Sequence, residues 1–171
     1  MSEDAPRLLK DRASIRVLIV EDQTPDADLI QAYLEPEGYH LQLVRSVEEA
    51  LAAVKQAPPD LVILDLKLDE DGTRLRGYDV CRRLREDPQT AQIPVLMFTV
   101  YDQLEDIERG VEVDADDYLV KLSSSKEVCF RVESLLRVRH IRNRADRMIA
   151  YLRLLEEGPG EPTASPPPGG M

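Results

Sequence analysis

Four apolar runs in this sequence are each followed at once by side chains that can do chemistry. Glu21 and Asp22 follow the first run, Asp65 the second, Thr99 the third and Lys121 the fourth. Short runs rich in Val, Ile and Leu, separated by helical stretches, are typical of buried parallel strands. In such sheets ligands bind beyond the carboxyl ends of the strands. The pattern therefore predicts that three acids, a hydroxyl and an ammonium group converge on one site.

The residue types at this predicted site suit phosphoryl transfer. Clustered carboxylates repel one another unless a proton or a cation offsets their charge, and Mg²⁺ prefers such oxygen ligands. A carboxylate can also act as a nucleophile and form an aspartyl phosphate. Glu21 and Asp22 suit the metal, Asp65 the attack, and Thr99 and Lys121 the charge on the phosphoryl oxygens. Residue types and spacing alone do not fix which acid is the nucleophile.

Composition and charge narrow the class of protein. The chain has 171 residues, enough for one domain with a solid core and some additional chain. Its formal net charge of -11 argues against a general nucleic-acid binder. Cys81 and Cys129 are too far apart in sequence to define a disulfide framework or a zinc site. The acidic N-terminus has no apolar run of the kind that a signal peptide requires, so we expect none, and no apolar stretch is long enough to span a bilayer. We expect a cytoplasmic protein with no membrane partner.

Apolar periodicity and breaker residues predict alternating strands and helices. Pro25 suits the first turn of a helix, and Ser46 with Glu49 has capping-box spacing at the start of the next. The order predicts an α/β fold with a doubly wound, five-stranded parallel sheet. The predicted strands are 16–21, 40–44, 60–65, 94–99 and 117–120. The predicted helices are 25–34, 46–57, 78–86, 102–110 and a long last helix.

The two ends of the chain are predicted to differ from this core. Residues 1–14 are polar and are expected to form a flexible arm, and the Pro/Gly-rich residues 158–171 are expected to be disordered. Between residues 124 and 157 there is no breaker, which predicts a single helix of roughly 33 residues and about 50 Å.

This long helix carries a heptad-like apolar seam over its extension, 138–157. The spacing favours an intermolecular helix pair and hence a homodimer. Two alternatives stay open: the helix packs back on its own domain, or it is a linker to a further domain. The seam consists of Val138, Ile141, Ala145, Met148, Leu152 and Leu155.

Four sequence motifs together resemble the receiver domain of two-component response regulators. They are residues 17–22 (VLIVED), 61–66 (LVILDL), 98–99 (FT) and 117–121 (DYLVK). The resemblance covers about residues 15–137, and the order and separation of the motifs are those of the family. It implies a flavodoxin-like (βα)5 fold with a lengthened last helix.

The resemblance also implies a role for each acid. Asp65 is the phosphoacceptor, and the donor is a sensor histidine kinase or a phosphotransfer protein. Mg²⁺, or Mn²⁺ in its place, is held by Glu21, Asp22, Asp65 and the backbone carbonyl of Lys67.

The remaining family positions imply a switch. Thr99 moves toward the phosphoryl group, Tyr118 swings inward, and Lys121 pairs with the phosphoryl oxygens. The surface around the fourth and fifth predicted helices and the fifth strand then changes.

The sequence departs from the family pattern beside the site. Leu122 follows Lys121 where the family usually has proline. Asp69 takes another proline position, and Gly77 comes four residues late, so the loop after Asp65 is longer and acidic. Val100 follows the predicted switch threonine where a small residue is usual. None of these changes removes a reactive group.

The favoured function is a stand-alone response regulator that signals through phosphorylation-dependent protein–protein interaction or dimerisation rather than DNA binding. We expect no enzyme activity apart from Mg²⁺-dependent self-phosphorylation and self-dephosphorylation of Asp65. One alternative is the front part of a larger signalling enzyme with a cyclase, phosphodiesterase or kinase output. Another is a phosphatase-type hydrolase, which is disfavoured because Lys67 stands where such enzymes usually carry a second Asp.

Overall fold

The computed structural model describes residues 3–68, 76–100, 108 and 111–160. Five parallel strands form one sheet in the order β2-β1-β3-β4-β5. This confirms the predicted fold class, with each strand within one residue of its predicted bounds. The strands are β1 (Arg16–Val20), β2 (His40–Val44), β3 (Leu61–Leu64), β4 (Val95–Thr99) and β5 (Asp117–Val120).

Burial explains why the central strands are continuous apolar runs. Every residue of β3 and β4 is buried, and in β1 only Arg16 is not. A strand with helices on both faces has no solvent side, so apolar residues occupy consecutive positions. The edge strands β2 and β5 are only partly buried and have more mixed sequences.

Side-chain caps set the starts of three helices. Ser46 accepts a hydrogen bond from Glu49 N at 3.1 Å, as the capping-box spacing predicts. Ser124 caps a later helix through the N–H of Glu127 in the same way. The helices are α1 (Thr24–Leu34), α2 (Val47–Gln56), α3 (Gly77–Glu86), α4 (Ser125–Val138) and α5 (Arg144–Glu157). Of the helix predicted over 102–110, only Glu108 lies among the described residues, and it is helical.

The helices cover the two faces of the sheet. Side chains of α1, α4 and α5, among them Ile30, Val132 and Leu154, pack with alternate strand residues on one face. Side chains of α2 and α3, such as Val54 and Leu84, pack with the intervening strand residues on the other face. The site at the strand ends therefore rests on a sheet that is buried from both sides.

The prediction of one long last helix is wrong. α4 ends at Val138, and α5 begins at Arg144 after a connection in which Ile141 is buried. Asn143 caps the new helix by accepting a hydrogen bond from Asp146 N at 3.1 Å. A straight helix would leave the apolar residues of its second half in water, whereas the break lets them pack on the domain.

The predicted dimer seam is therefore not one continuous helical stripe. Val138 and Ile141 belong to the core, Ala145 is exposed, and Leu152 is 50% exposed. Met148 and Leu155 are partly buried against the core from α5. The alternative that the helix packs back on its own domain describes the structure. The buried face of α5 consists of Arg147, Ala150, Tyr151 and Leu154.

Polar contacts fix α5 to the edge of the sheet. Arg147 is buried and donates to Asp116 Oδ1 at 3.1 Å and to the carbonyl of Gln92 at 2.6 Å. Tyr151 donates a short hydrogen bond to Asp117, the first residue of β5. Since Asp116 is itself buried, the arginine offsets a charge that is costly to bury alone. α5 is thus a structural part of the domain.

The prediction of a flexible N-terminal arm is wrong for residues 3–14. Arg7 N donates to Arg137 O of α4 at 2.9 Å. Arg12 forms ion pairs with Glu37 at 2.6 Å and with Glu133 of α4 at 2.8 Å. The contacts with Arg137 and Glu133 hold the segment against α4, the helix that precedes α5. The predicted acidic loop at 69–71 and the part of the predicted disordered tail over 161–171 lie outside the described residues.

None of the helices in the described part of the chain is long and apolar enough to cross a membrane.

We predict that α5 contributes to the stability of the domain through its buried face. Leu154 is 5% exposed, so Leu154→Ala should lower the free energy of unfolding by about 2–5 kcal/mol. Leu152→Ala, two residues away and half exposed, should change it by less than about 0.5 kcal/mol. Urea unfolding of both variants measures the difference. An equal loss in the two variants would contradict this packing of α5.

Candidate functional site

The sheet brings the predicted site residues to one edge. Asp65 N donates to Val20 O at 3.1 Å, so the nucleophile candidate lies directly beside the end of β1. Lys121 N donates to Thr99 O at 2.8 Å, which holds the end of β5 against the end of β4. These backbone bonds continue the strand ladders past the last strand residues. The side chains that follow the strands are therefore placed by the sheet itself.

The ammonium group of Lys121 is the centre of this cluster. Its Nζ lies 2.7 Å from Glu21 Oε2, 3.0 Å from Asp65 Oδ2 and 2.8 Å from Asp26 Oδ2. Burial by itself lowers the pKa of Lys121. The hydrogen bonds to Asp26 and Glu21 and the charge of Asp65 outweigh that effect and raise the pKa well above its usual value. The lysine is thus held in its charged form.

The charged form of Glu21, in contrast to that of Lys121, is disfavoured by its surroundings. Glu21 is fully buried, and its Oε1 accepts the N–H of Gln23 at 3.1 Å. Its pKa is raised to about 8, because burial and then the charge of Asp65 outweigh the opposing effect of Lys121. One ammonium group does not offset all the carboxylates around it. The site therefore favours a further positive charge.

Three of the acids are arranged to hold a cation. Carboxylate oxygens of Glu21, Asp22 and Asp65 all lie within 4.8 Å of one another. Asp22 Oδ1 is buried, yet it accepts no hydrogen bond from any residue that the structure describes. A buried oxygen without a partner is costly, and a hard divalent cation would satisfy it. The residues present fit Mg²⁺ or an ion of similar chemistry.

The other predicted site residues lie close by. Thr99 is fully buried at the end of β4. Tyr118 is half-buried on β5 and packs against the core cluster that contains Met97. Lys67 N donates to Asp65 Oδ1 at 3.4 Å, so this residue adjoins the predicted phosphoacceptor. The structure thus places Thr99 and Lys67 at the carboxyl end of the sheet, whereas Tyr118 lies opposite Met97 within the ladder of β4 and β5. The individual roles of these residues stay predictions.

Two residues near the site were not anticipated. Asp26, in the first turn of α1, contacts Lys121, although an acid at that position is ordinarily read as a favourable partner of the helix dipole. Gly77, at the start of α3, packs on the backbone of residues 65–66, the acceptor segment, so named for the predicted role of Asp65. It also donates its N–H to Leu66 O at 2.9 Å. The sequence drew attention to Gly77, because this glycine comes later than in the family pattern. Its close contact with residues 65–66 is seen only in the structure.

A five-stranded doubly wound sheet with three acids, a hydroxyl and a lysine at its carboxyl edge defines a class of phosphoryl-accepting signalling domains. The sequence model of the response regulator receiver domain matches residues 17–133. The chain belongs to this family. Domains of this family bind Mg²⁺ at such an acidic cluster and receive signals from histidine kinases or phosphotransfer proteins.

Individual relatives agree with this assignment. The DNA-binding dual master transcriptional regulator RpaA of Synechocystis is 38% identical over 84% of this chain and 57% of its own length. A putative response regulator from Chloroflexus aurantiacus is 33% identical with a TM-score of 0.66, covering 71% of this chain and 97% of that one. The Mn(2+)-bound form of response regulator Rcp1 is 25% identical with a TM-score of 0.59, over 71% and 91%. The chain spans about half the length of the curated relatives it matches.

We predict that the close approach of Gly77 to the acceptor segment leaves no room for a side chain. A Cβ there would overlap the carbonyl oxygen of Asp65 and lie 2.7 Å from Leu66 Cα. Gly77→Ala should therefore lower the free energy of unfolding by about 1–3 kcal/mol. Gly160→Ala is the control and should be neutral in the same denaturant titration, because among the described residues no atom lies within 4 Å of a Cβ placed there. If neither substitution changes the free energy of unfolding, the backbone at Gly77 shifts at little cost and the prediction is wrong.

Proposed function

We propose that this chain is a response regulator receiver that accepts a phosphoryl group on Asp65. The observation that supports this most directly is the shared geometry of Asp65 and its neighbours. Its Oδ2 lies 3.0 Å from a charged lysine, and its carboxylate belongs to the acid group that contains the unpartnered oxygen of Asp22. The carboxylate of Asp65 therefore lies next to both a candidate cation site and a positively charged lysine, which are the neighbours that a phosphoryl-accepting nucleophile needs.

The transfer step follows from these positions. An oxygen of Asp65 forms a bond to phosphorus, and the bond from phosphorus to the donor breaks, with its electron pair leaving on the donor. Lys121 and Thr99 donate to the phosphoryl oxygens as charge accumulates on them. A bound Mg²⁺ or Mn²⁺ would supply further neutralisation of those oxygens, with Glu21, Asp22, Asp65 and the carbonyl of Lys67 as its protein ligands. Attack of water on phosphorus later releases inorganic phosphate and restores Asp65.

The family suggests the phosphoryl donor, and the net charge of the chain suggests the class of output partner. A sensor histidine kinase or a phosphotransfer protein would supply the phosphoryl group. The net charge of -11 favours a protein partner over nucleic acid as the target of the modified domain. Thr99 and Tyr118 would carry the change from the site to the surface of β5.

A second candidate is suggested by the length of the relatives. RpaA is named as a DNA-binding regulator, and this chain matches 57% of it. The sequence would then be the receiver part of a larger regulator or signalling enzyme, joined through the segment after α5. A transcript with a stop codon directly after Met171 would exclude that possibility.

We predict that Asp65→Asn abolishes labelling of the protein by a small phosphodonor such as acetyl phosphate. Asparagine keeps the shape of the side chain but lacks the nucleophilic oxygen pair. Chelation of divalent cations with EDTA should abolish labelling of the unaltered protein, since the clustered carboxylates then lose their counter-ion. Phosphate-affinity electrophoresis measures both effects.

Asp28→Asn is the matched control for this substitution. Asp28 is exposed on α1, and its loss changes the net charge by the same amount. This variant should be labelled as the unaltered protein is. Equal labelling of Asp65→Asn and the control would refute Asp65 as the acceptor.

We predict that the phosphorylated form self-associates, whereas the unmodified form does so only weakly. The continuous seam that would hold a permanent dimer is not formed, so a new contact has to come from the modified surface. Light scattering with Mg²⁺ and beryllofluoride, an analogue of the aspartyl phosphoryl group, should show a mass rising toward twice the 19.4 kDa of one chain. A mass that stays at one chain would contradict a dimeric output.

A further inference from the structure

The three N–H donors of the Lys121 ammonium group are taken by three different carboxylates. Their acceptors are Glu21 Oε2 at 2.7 Å, Asp26 Oδ2 at 2.8 Å and Asp65 Oδ2 at 3.0 Å. An ammonium group has three donors, so a phosphoryl oxygen has to replace one of these acceptors. Which contact is given up, and which one stays, decides where the lysine lies during phosphoryl transfer.

Asp26 differs from the other two carboxylates in its position. Glu21 and Asp65 follow strands and belong to the group of acids that lie within 4.8 Å of one another, whereas Asp26 is on α1 and outside that group. Its side chain is 34% exposed, while those of Glu21 and Asp65 are 0% and 5% exposed. Asp26 can therefore contact Lys121 without also holding a cation or accepting a phosphoryl group.

The side chain that follows Lys121 adds little constraint. Leu122, the next residue, is 94% exposed, so it buries almost no surface that would fix the turn. The backbone here is held by the bond from Lys121 N to Thr99 O and by the bond from Ser123 N to Val120 O at 2.9 Å. Neither bond fixes the long side chain, so the position of the ammonium group depends on what its own end contacts. The contact to Asp26 is the one that links it to a helix rather than to the reacting carboxylates.

We infer that Asp26 is a positioning residue that anchors Lys121 from outside the acid cluster, an inference that rests on the proposed function. When the phosphoryl group forms, Lys121 exchanges its contact with Asp65 for a phosphoryl oxygen. The contact with Asp26 stays and keeps the ammonium group within reach. Asp26 thereby sets the rate of phosphorylation and the affinity for phosphoryl analogues without touching the reacting atoms.

The test compares the full chain with Asp26→Asn and with Asp28→Asn, its neighbour on the exposed side of α1. With saturating Mg²⁺, Asp26→Asn should slow labelling by acetyl phosphate and weaken beryllofluoride binding, each by about five- to tenfold. Asp28→Asn should leave both unchanged. A rate for Asp26→Asn equal to that of the unaltered protein would overturn the inference, and so would an equal loss in the two variants.

A double-mutant cycle separates an anchor for Lys121 from a general effect on charge or folding. In a Lys121→Met background, Asp26→Asn should change beryllofluoride affinity by less than twofold, because the partner it positions is absent. An undiminished five- to tenfold loss in that background would overturn the inference. The ¹⁵N ammonium resonance of Lys121 in the beryllofluoride complex should be observable in the unaltered protein and broadened in Asp26→Asn.

The outcome for the unaltered protein distinguishes the two proposals. If it is neither labelled nor bound by beryllofluoride, the proposed function fails and the role of Asp26 fails with it. If it is labelled, and Asp26→Asn behaves identically, only the role of Asp26 fails.

Discussion

Lys121 Nζ lies within 3.0 Å of oxygens from three carboxylates, two of them in the stretch from β1 into α1 and one after β3. Two of those carboxylates are almost completely buried, and isolated buried charges are too costly to keep. The lysine therefore makes the acid cluster possible, while the cluster keeps the lysine charged. The compensation is incomplete, because burial and the charge of Asp65 still raise the pKa of Glu21. That residual imbalance is what a divalent cation would remove.

The sheet supplies the rigidity that this charge arrangement needs. β3 and β4 are buried at every residue, so the segments that end in Asp65 and Thr99 have no solvent-exposed side along which to shift. The acceptor segment is packed so tightly that the backbone of Gly77 rests against it. The site side chains at the carboxyl edge of the sheet thus extend from a buried apolar core. Their spacing follows from the pairing of the strands rather than from the loops.

The sequence allowed much of this to be predicted, since apolar runs with breakers on both sides define parallel strands and their ends define the site. The break before α5 was missed because no Pro or Gly marks it, and Asn143 with Asp146 is a weaker signal. The buried face of α5 also contains Arg147, a charged residue that interrupts the apolar pattern. Only the coordinates show that Asp116, distant in sequence, makes its burial acceptable. Asp26 was missed for the same reason, because its partner is 95 residues away.

The break between α4 and α5 has a mechanical consequence. A straight helix of about 50 Å would act as a rod, passing torsion or axial displacement from the domain to its far end. Two helices of 14 residues, each about 21 Å long, do not behave as a rod when the second packs beside the first. α5 is instead joined to the edge strand from the side, by the hydrogen bond from Tyr151 to Asp117 on β5. A displacement of β5 would therefore reach α5 across its side rather than along its axis.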